Sequence, residues 1–241
     1  MKKLQLNKDK CKKLHFGHKS IFCPKLNVHG SEMKSSDNEK YLGNIISTDM
    51  NNKKMVESRA NGGIGINAQI MSLLNDISLV QHFFKIAKLL REAMLINSML
   101  CSANAWYDMS ESNIRSLESV DESLLRQILN AHSKTAMEAL YLELGCKPIR
   151  YILMERRINY LYYILKLDKS ELLWKVFLAQ MNNPVKGDWY LQVMEDLKNL
   201  EIASNFNEIE KIVKITRKMS FKNLVKNNSK IAALKYLNNI K

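Results

Sequence analysis

The apolar residues of this chain change their spacing near residue 48, and that change constrains the fold more than any other feature. Before it, they come in short clusters: Leu14 with Phe16, Ile21 with Phe22, Leu26 with Val28, then Tyr41, Leu42, Ile45 and Ile46. Leu26 and Val28 alternate with Asn27 and His29, and Gly17, Pro24 and Gly30 sit between the clusters as turn residues do. This spacing predicts a small antiparallel sheet of about three strands. Beyond residue 48 the period becomes helical. Met55, Ala60, Ile64, Ile66, Ile70, Leu73 and Leu74 predict a long helix with Asp49 as its candidate N-cap. Residues 79–105 predict a helix buried on most faces, interrupted only by Lys85, Lys88, Arg91 and Glu92. Ser110 is a suitable cap for an amphipathic helix that places Ile114, Leu117, Leu124, Leu125, Ile128 and Leu129 on one side. Pro148, a residue favoured at a first helical position, predicts a helix running to Leu165. A loop at residues 182–187 precedes two further helical stretches, 188–200 and 206–240. The expected fold class is mainly α with a small N-terminal antiparallel β-sheet (α+β), in three parts: 1–48, 49–183 and 184–241.

Composition supports a helical body. Gly (8) and Pro (3) are scarce in 241 residues, so few positions break a helix. An apolar share of 46% suffices for a sizeable core. No apolar run approaches the roughly 18 residues of a membrane span, so none is expected. The Lys-rich N-terminus lacks the apolar stretch of a signal peptide. Cys11, Cys23, Cys101 and Cys146 are widely spaced, which fits reduced thiols and an intracellular setting, nuclear or cytoplasmic.

The net charge of +13 is concentrated at the ends. Residues 1–20 hold seven Lys and one Asp, and residues 211–241 hold nine basic residues and no acidic one. The stretch between them is close to neutral, with 21 basic and 23 acidic residues. Basic ends on a neutral middle point to a polyanionic partner, nucleic acid above all. A coding bias toward Lys and Asn produces the same excess with no binding role.

Candidate sites are few. Cys11, His15, His18 and Cys23 are metal-ligand types, but their spacing fits no common zinc pattern. Asn61, Gly62, Gly63, Ile64 and Gly65 resemble a phosphate loop, yet lack its Lys-Ser/Thr and lie inside a helical pattern, where close packing explains them better. Asp108, Glu111, Glu118, Asp121 and Glu122 read as a solvated helix face. Arg156 and Arg157, with Tyr160, Tyr162 and Tyr163, mix cations and aromatics on one helix. That mixture suits single-strand binding, or a core face edged by long basic side chains. Lys211, Lys214, Arg217, Lys218, Lys222, Lys226 and Lys230 suit backbone-phosphate contact, or a merely solvated face. The sequence carries no G-x-S-x-G and no H-E-x-x-H pattern.

Several of these runs, taken in order, resemble the end of the palm and the region beyond it in LINE-like (non-LTR) retrotransposon reverse transcriptases. Leu4, Gln5, Leu6, Asn7, Lys10 and Cys11, followed by Leu14, His15, Phe16 and Gly17, look like the "LxLNxxKC…HFG" segment that follows the catalytic aspartates there. Tyr41, Leu42 and Gly43 resemble the "YLG" of the primer grip. Asn104, Ala105 and Trp106, then Leu117–Glu118 and the run 124–129, are similar to the "xAW" and "LE…LLRxIL" stretches downstream. Residues 140–145, Pro148–Ile149 and Arg156–Arg157 continue the series, which spans about residues 4–175. The resemblance implies a palm remnant followed by a helical thumb-like bundle. It also implies an RNA or DNA template–primer as partner, held by a fragment of an RNA-directed DNA polymerase without its catalytic aspartates. Those aspartates, and the Mg they would hold, belong upstream of the segment seen here, so no cofactor is expected in this chain. Tyr41, Leu42 and Gly43 would serve as the primer grip. Lys10, Lys12, Lys13, Arg156, Arg157, Lys214, Arg217, Lys218 and Lys222 would meet the backbone. The alternatives are a helical protein–protein interaction module and the remnant of a decayed element.

Overall fold

The computed structural model describes residues 11–16, 25–28, 30–41, 43–49, 51–76 and 82–239. The chain divides into two compact units, Met1–Val56 and Glu57–Lys241.

The first unit carries the strands. β1 (Lys12–Lys13) pairs in parallel with β4 (Lys34–Ser35), and β2 (Asn27–Val28) pairs antiparallel with β3 (Ser31–Glu32). β5 (Asn38–Tyr41) and β6 (Asn44–Ser47) form the longest hairpin, in register from Asn38 opposite Ser47 to Tyr41 opposite Asn44. The N-terminal β region is therefore present as three two-stranded ladders. Its last turn leads into α1 (Lys53–Asp76). Asp49 does not cap that helix. Its carboxylate takes the Ser47 hydroxyl and the Asn51 amide, and the Asn51 side chain in turn accepts from the Lys53 amide at 2.7 Å. The Ser47 hydrogen bond, with the Asn51 amide behind it, holds the Asp49 carboxyl below its ordinary range.

The second unit is helical. α2 (Phe83–Leu90) runs into a π-helical turn, Arg91–Ile96, and a short α3 (Asn97–Met99). A 3-10 turn at Ala103–Ala105 follows. The buried helix expected over 79–105 is thus broken into pieces, with Phe84 and Leu89 facing solvent. α4 (Glu111–Ile128) starts where Ser110 was expected to start it, its hydroxyl accepting from the Asn113 amide at 3.2 Å. α5 (Met137–Leu144) ends on Gly145. α6 (Ile149–Leu165) begins one residue after Pro148, which takes its N-cap position without a side-chain hydrogen bond. α7 (Leu172–Asn182), α8 (Trp189–Asn199), α9 (Phe206–Ile215) and α10 (Lys218–Asn239) complete the chain. α9 opens with a capping box: Asn205 accepts from the Glu208 amide at 3.0 Å, and Glu208 reaches back to the Ser204 amide at 2.7 Å.

α6 is the hub, packed against α4, α7, α8, α9 and α10. Its Ile158, Leu161 and Ile164 join Phe177, Val193, Leu197, Ile209, Val213, Phe221 and Val225 in one apolar cluster. Each large side chain it removes from water contributes about 1.5–3 kcal/mol of transfer free energy. The cluster draws on both sides of the expected 183/184 boundary, since α8, α9 and α10 join α6 and α7 in it. A smaller cluster gathers Leu125, Leu140, Tyr141, Cys146 and Leu237. α1 packs through Gly63: a Cβ there would lie 2.6 Å from the Met99 sulfur and 2.9 Å from Val120 Cγ1. The glycine run is a packing feature at that one residue, since Gly62 and Gly65 have no neighbour within 4 Å of such a Cβ.

Candidate nucleic-acid interface

α10 presents the most basic surface of the helical unit. Phe221, Val225, Ser229, Ala233 and Leu237, spaced by four, form its buried stripe. The Ser229 hydroxyl reaches the Tyr151 carbonyl at 3.5 Å, and Asn228 donates to the Leu200 carbonyl at 2.9 Å. At the helix's start, the Tyr162 hydroxyl donates to the Thr216 carbonyl at 3.2 Å. These bonds fix the helix rotation, and with it the solvent-facing flank that lies about 100° round from the buried stripe. Lys218, Lys222, Lys226 and Lys230 lie on it, all exposed and four residues apart. Such a row advances about 1.5 Å per residue, hence roughly 18 Å from end to end. That length spans about five phosphates of one DNA strand at 3.4 Å each. Arg217 is also exposed, at the α9–α10 junction. Lys214 is exposed but shares an ion pair with Glu210 at 3.2 Å.

The hairpin of the first unit is described by itself. Tyr41 is 64% exposed at the end of β5, so it is not a sheet-core residue. Gly43 has φ of +82°, a conformation that glycine adopts without strain and most residues do not. Leu42 and Lys10 lie outside the described residues, as do His18 and Cys23. Lys12 pairs with Glu39 at 3.5 Å, and the Lys13 carbonyl accepts from the Ser36 amide.

Arg156 and Arg157 do not join a basic surface. Arg157 is 2% exposed and grips the Asp196 carboxylate through two bonds of 2.5 and 2.9 Å. Arg156 donates to the Leu100 carbonyl and to Asn97 Oδ1. The expectation that this pair meets a nucleic-acid backbone is corrected for Arg157, which is buried in its ion pair, while the half-buried Arg156 is engaged by Leu100 and Asn97. Of the neighbouring aromatics, Tyr162 packs on Phe221 at 4.7 Å, while Tyr160 and Tyr163 stack on each other at 5.9 Å.

The acidic run on α4 also differs from its expectation. Glu118 and Asp121 are fully buried. Asp121 accepts two bonds from Arg91, both 2.6 Å, and a third from the Tyr141 hydroxyl at 2.9 Å. Glu118 accepts from Arg150 at 2.9 and 2.8 Å, and Arg150 also reaches Glu111 and lies 5.3 Å over the Tyr236 ring. The Glu118 hydrogen bonds raise the Arg150 pKa above its ordinary value despite partial burial. These carboxylates are interior struts, and solvent faces only part of the run. A sequence signal was available: Glu118 and Asp121 share the stripe of Leu117, Leu124, Leu125 and Ile128.

Among the described residues no cluster of three or more His, Cys, Asp or Glu has metal-binding geometry, and no helix is long and apolar enough to cross a membrane. The chain matches no protein-family model, no curated protein and no solved structure.

Proposed function

We propose that this chain is the primer-grip and thumb-like portion of a LINE-like reverse transcriptase, and that it holds a template–primer duplex by its backbone without extending it. The observation that carries the binding part is the exposed lysine row of α10 in a segment, 211–241, that has no acidic residue. Ammonium groups on a rigid helix neutralise phosphates with no reading of bases. The hairpin supports the family part: Tyr41 ends β5 with its ring exposed, and Gly43, just before β6, takes up a positive φ, which leaves Tyr41 able to meet a strand end. The ordered series of motifs up to Arg157 supports the same reading, although Arg156 and Arg157 themselves serve packing.

The experiment is binding of a fluorescent RNA–DNA hybrid across a salt series. A phosphate-holding surface gives a log–log slope of about −0.9 per contact on B-DNA, and a comparable dependence is expected on the hybrid. Replacing Lys218 and Lys222 by Gln should flatten the slope by about two contacts. Binding that ignores salt, or that is untouched by these changes, would sink the proposal.

A further inference from the structure

A cavity of about 390 Å3 opens where α2, the end of α5 and α10 meet. Ligand sites commonly begin at about 300 Å3, so it has room for a small organic molecule. Its lining separates by chemistry. Tyr141, Leu142, Cys146, Leu234 and Leu237 supply an apolar wall, and Lys88, Lys147, Lys226 and Lys230 supply four ammonium groups against a single acid, Glu92. The Tyr141 hydroxyl is turned away to Asp121, so this residue offers the cavity its ring.

The positive charge is only partly compensated. Lys147 pairs with Glu155. Lys88 donates to the Gly145 carbonyl at 2.5 Å, a neutral acceptor that leaves its charge unbalanced. Among the described residues no carboxylate lies within ion-pair distance of Lys88, Lys226 or Lys230. With Glu92 as the lining's single carboxylate, the opening keeps a net positive charge that favours an anion. The walls are also fixed. Lys88 ties α2 to the loop after α5, and Arg91 in the π-helical turn ties the same loop through the Lys147 carbonyl at 3.1 Å. π-helical insertions recur at functional sites.

We propose that this cavity binds a small organic phosphate, with the phosphate among Lys88, Lys226 and Lys230 and a compact apolar or aromatic body against Tyr141, Leu234 and Leu237. This site goes beyond duplex holding. It shares Lys226 and Lys230 with the α10 row but adds Lys88 from α2 and the apolar wall.

The test is fluorescence titration of the full chain with naphthyl phosphate, with naphthol and inorganic phosphate as its separate halves. The whole molecule should saturate one site and bind at least about tenfold more tightly than either half. Lys88→Gln or Lys230→Gln should weaken it by about tenfold, and Leu234→Glu, at a partly exposed position, should abolish binding by placing a carboxylate on the wall. Equal binding of one half, absence of saturation, or unchanged affinity in Lys230→Gln with wild-type thermal melting would overturn the proposal. Lys88→Gln touches the cavity alone, and Lys218→Gln with Lys222→Gln touches the duplex row alone. Failure of one reading is therefore visible apart from failure of the other.

Discussion

Arg91 and Asp121 close a two-pronged ion pair inside the helical unit, Nε to Oδ1 and Nη2 to Oδ2, both at 2.6 Å and both side chains sealed from water. Burial disfavours the guanidinium cation, but the adjacent carboxylate outweighs it and raises the Arg91 pKa above its ordinary value. The pair joins the π-helical turn to α4. Arg157 and Asp196 repeat the arrangement between α6 and α8.

Removing one partner leaves the other charged and dry. Asp121→Ala should therefore cost about 3–5 kcal/mol, read as a lower urea midpoint. The double change Arg91→Met with Asp121→Leu should recover most of that loss, because apolar residues of similar size replace a buried pair at little cost. A double variant as unstable as Asp121→Ala would show that the pair itself, and not its unpaired remnant, sets the stability.

Two helix starts, those of α4 and α6, were legible in the sequence because their signals are local. Ser110 lies three residues from the amide it accepts, and Pro148 stands directly before the helix it opens. The ion pairs were not legible in that way. Arg91 and Asp121 are thirty residues apart, Arg157 and Asp196 thirty-nine. Nothing beside a carboxylate tells whether it will face water or an arginine from another helix. The available hint was positional, since Arg157 lies between Leu153, Ile158 and Leu161, all buried. The lysines of α10 were legible as charge. Their convergence with Lys88 and Lys147 on one cavity needed the fold.

The glycines of α1 separate packing from propensity. Gly65→Ala meets no atom within 4 Å and should stabilise by about 0.5–1 kcal/mol, the usual helix gain. Gly63→Ala drives its methyl against Met99 and Val120, and crowding of about 1–3 kcal/mol should exceed that gain. Met99 is flexible, whereas the branched Val120 is stiff, so the net sign should be destabilising. Thermal melts of the two variants should move in opposite directions.

Glu122 gives a pH signature. Burial, followed by repulsion from Glu118, raises its carboxyl pKa, and Arg115 and Arg126 offset this only in part. The folded state thus holds this proton more tightly than the unfolded state. Its stabilising effect is fully present below the unfolded carboxyl pKa of about 4.3 and is lost as pH rises through the raised folded value. At neutral pH the ionised group is a burden. Glu122→Gln should raise the urea midpoint at neutral pH and give no gain in acid below that range. A gain that persists unchanged into acid would rule out this origin.

Tyr41 separates duplex holding from folding. Its ring is 64% exposed at the turn of the β5–β6 hairpin, so Tyr41→Ala removes little buried area, and the melting temperature should stay near that of the parent. If the ring stacks on a strand end, the same change should weaken hybrid binding by about 1–3 kcal/mol, the range for loss of one base–aromatic stack. Tyr41→Phe keeps the ring and should bind nearly as the parent does. The stacking contribution should also persist at high salt, where the lysine row of α10 is screened. Equal losses in Tyr41→Ala and Tyr41→Phe would instead assign the effect to the hydroxyl, and no loss in either would remove Tyr41 from the interface.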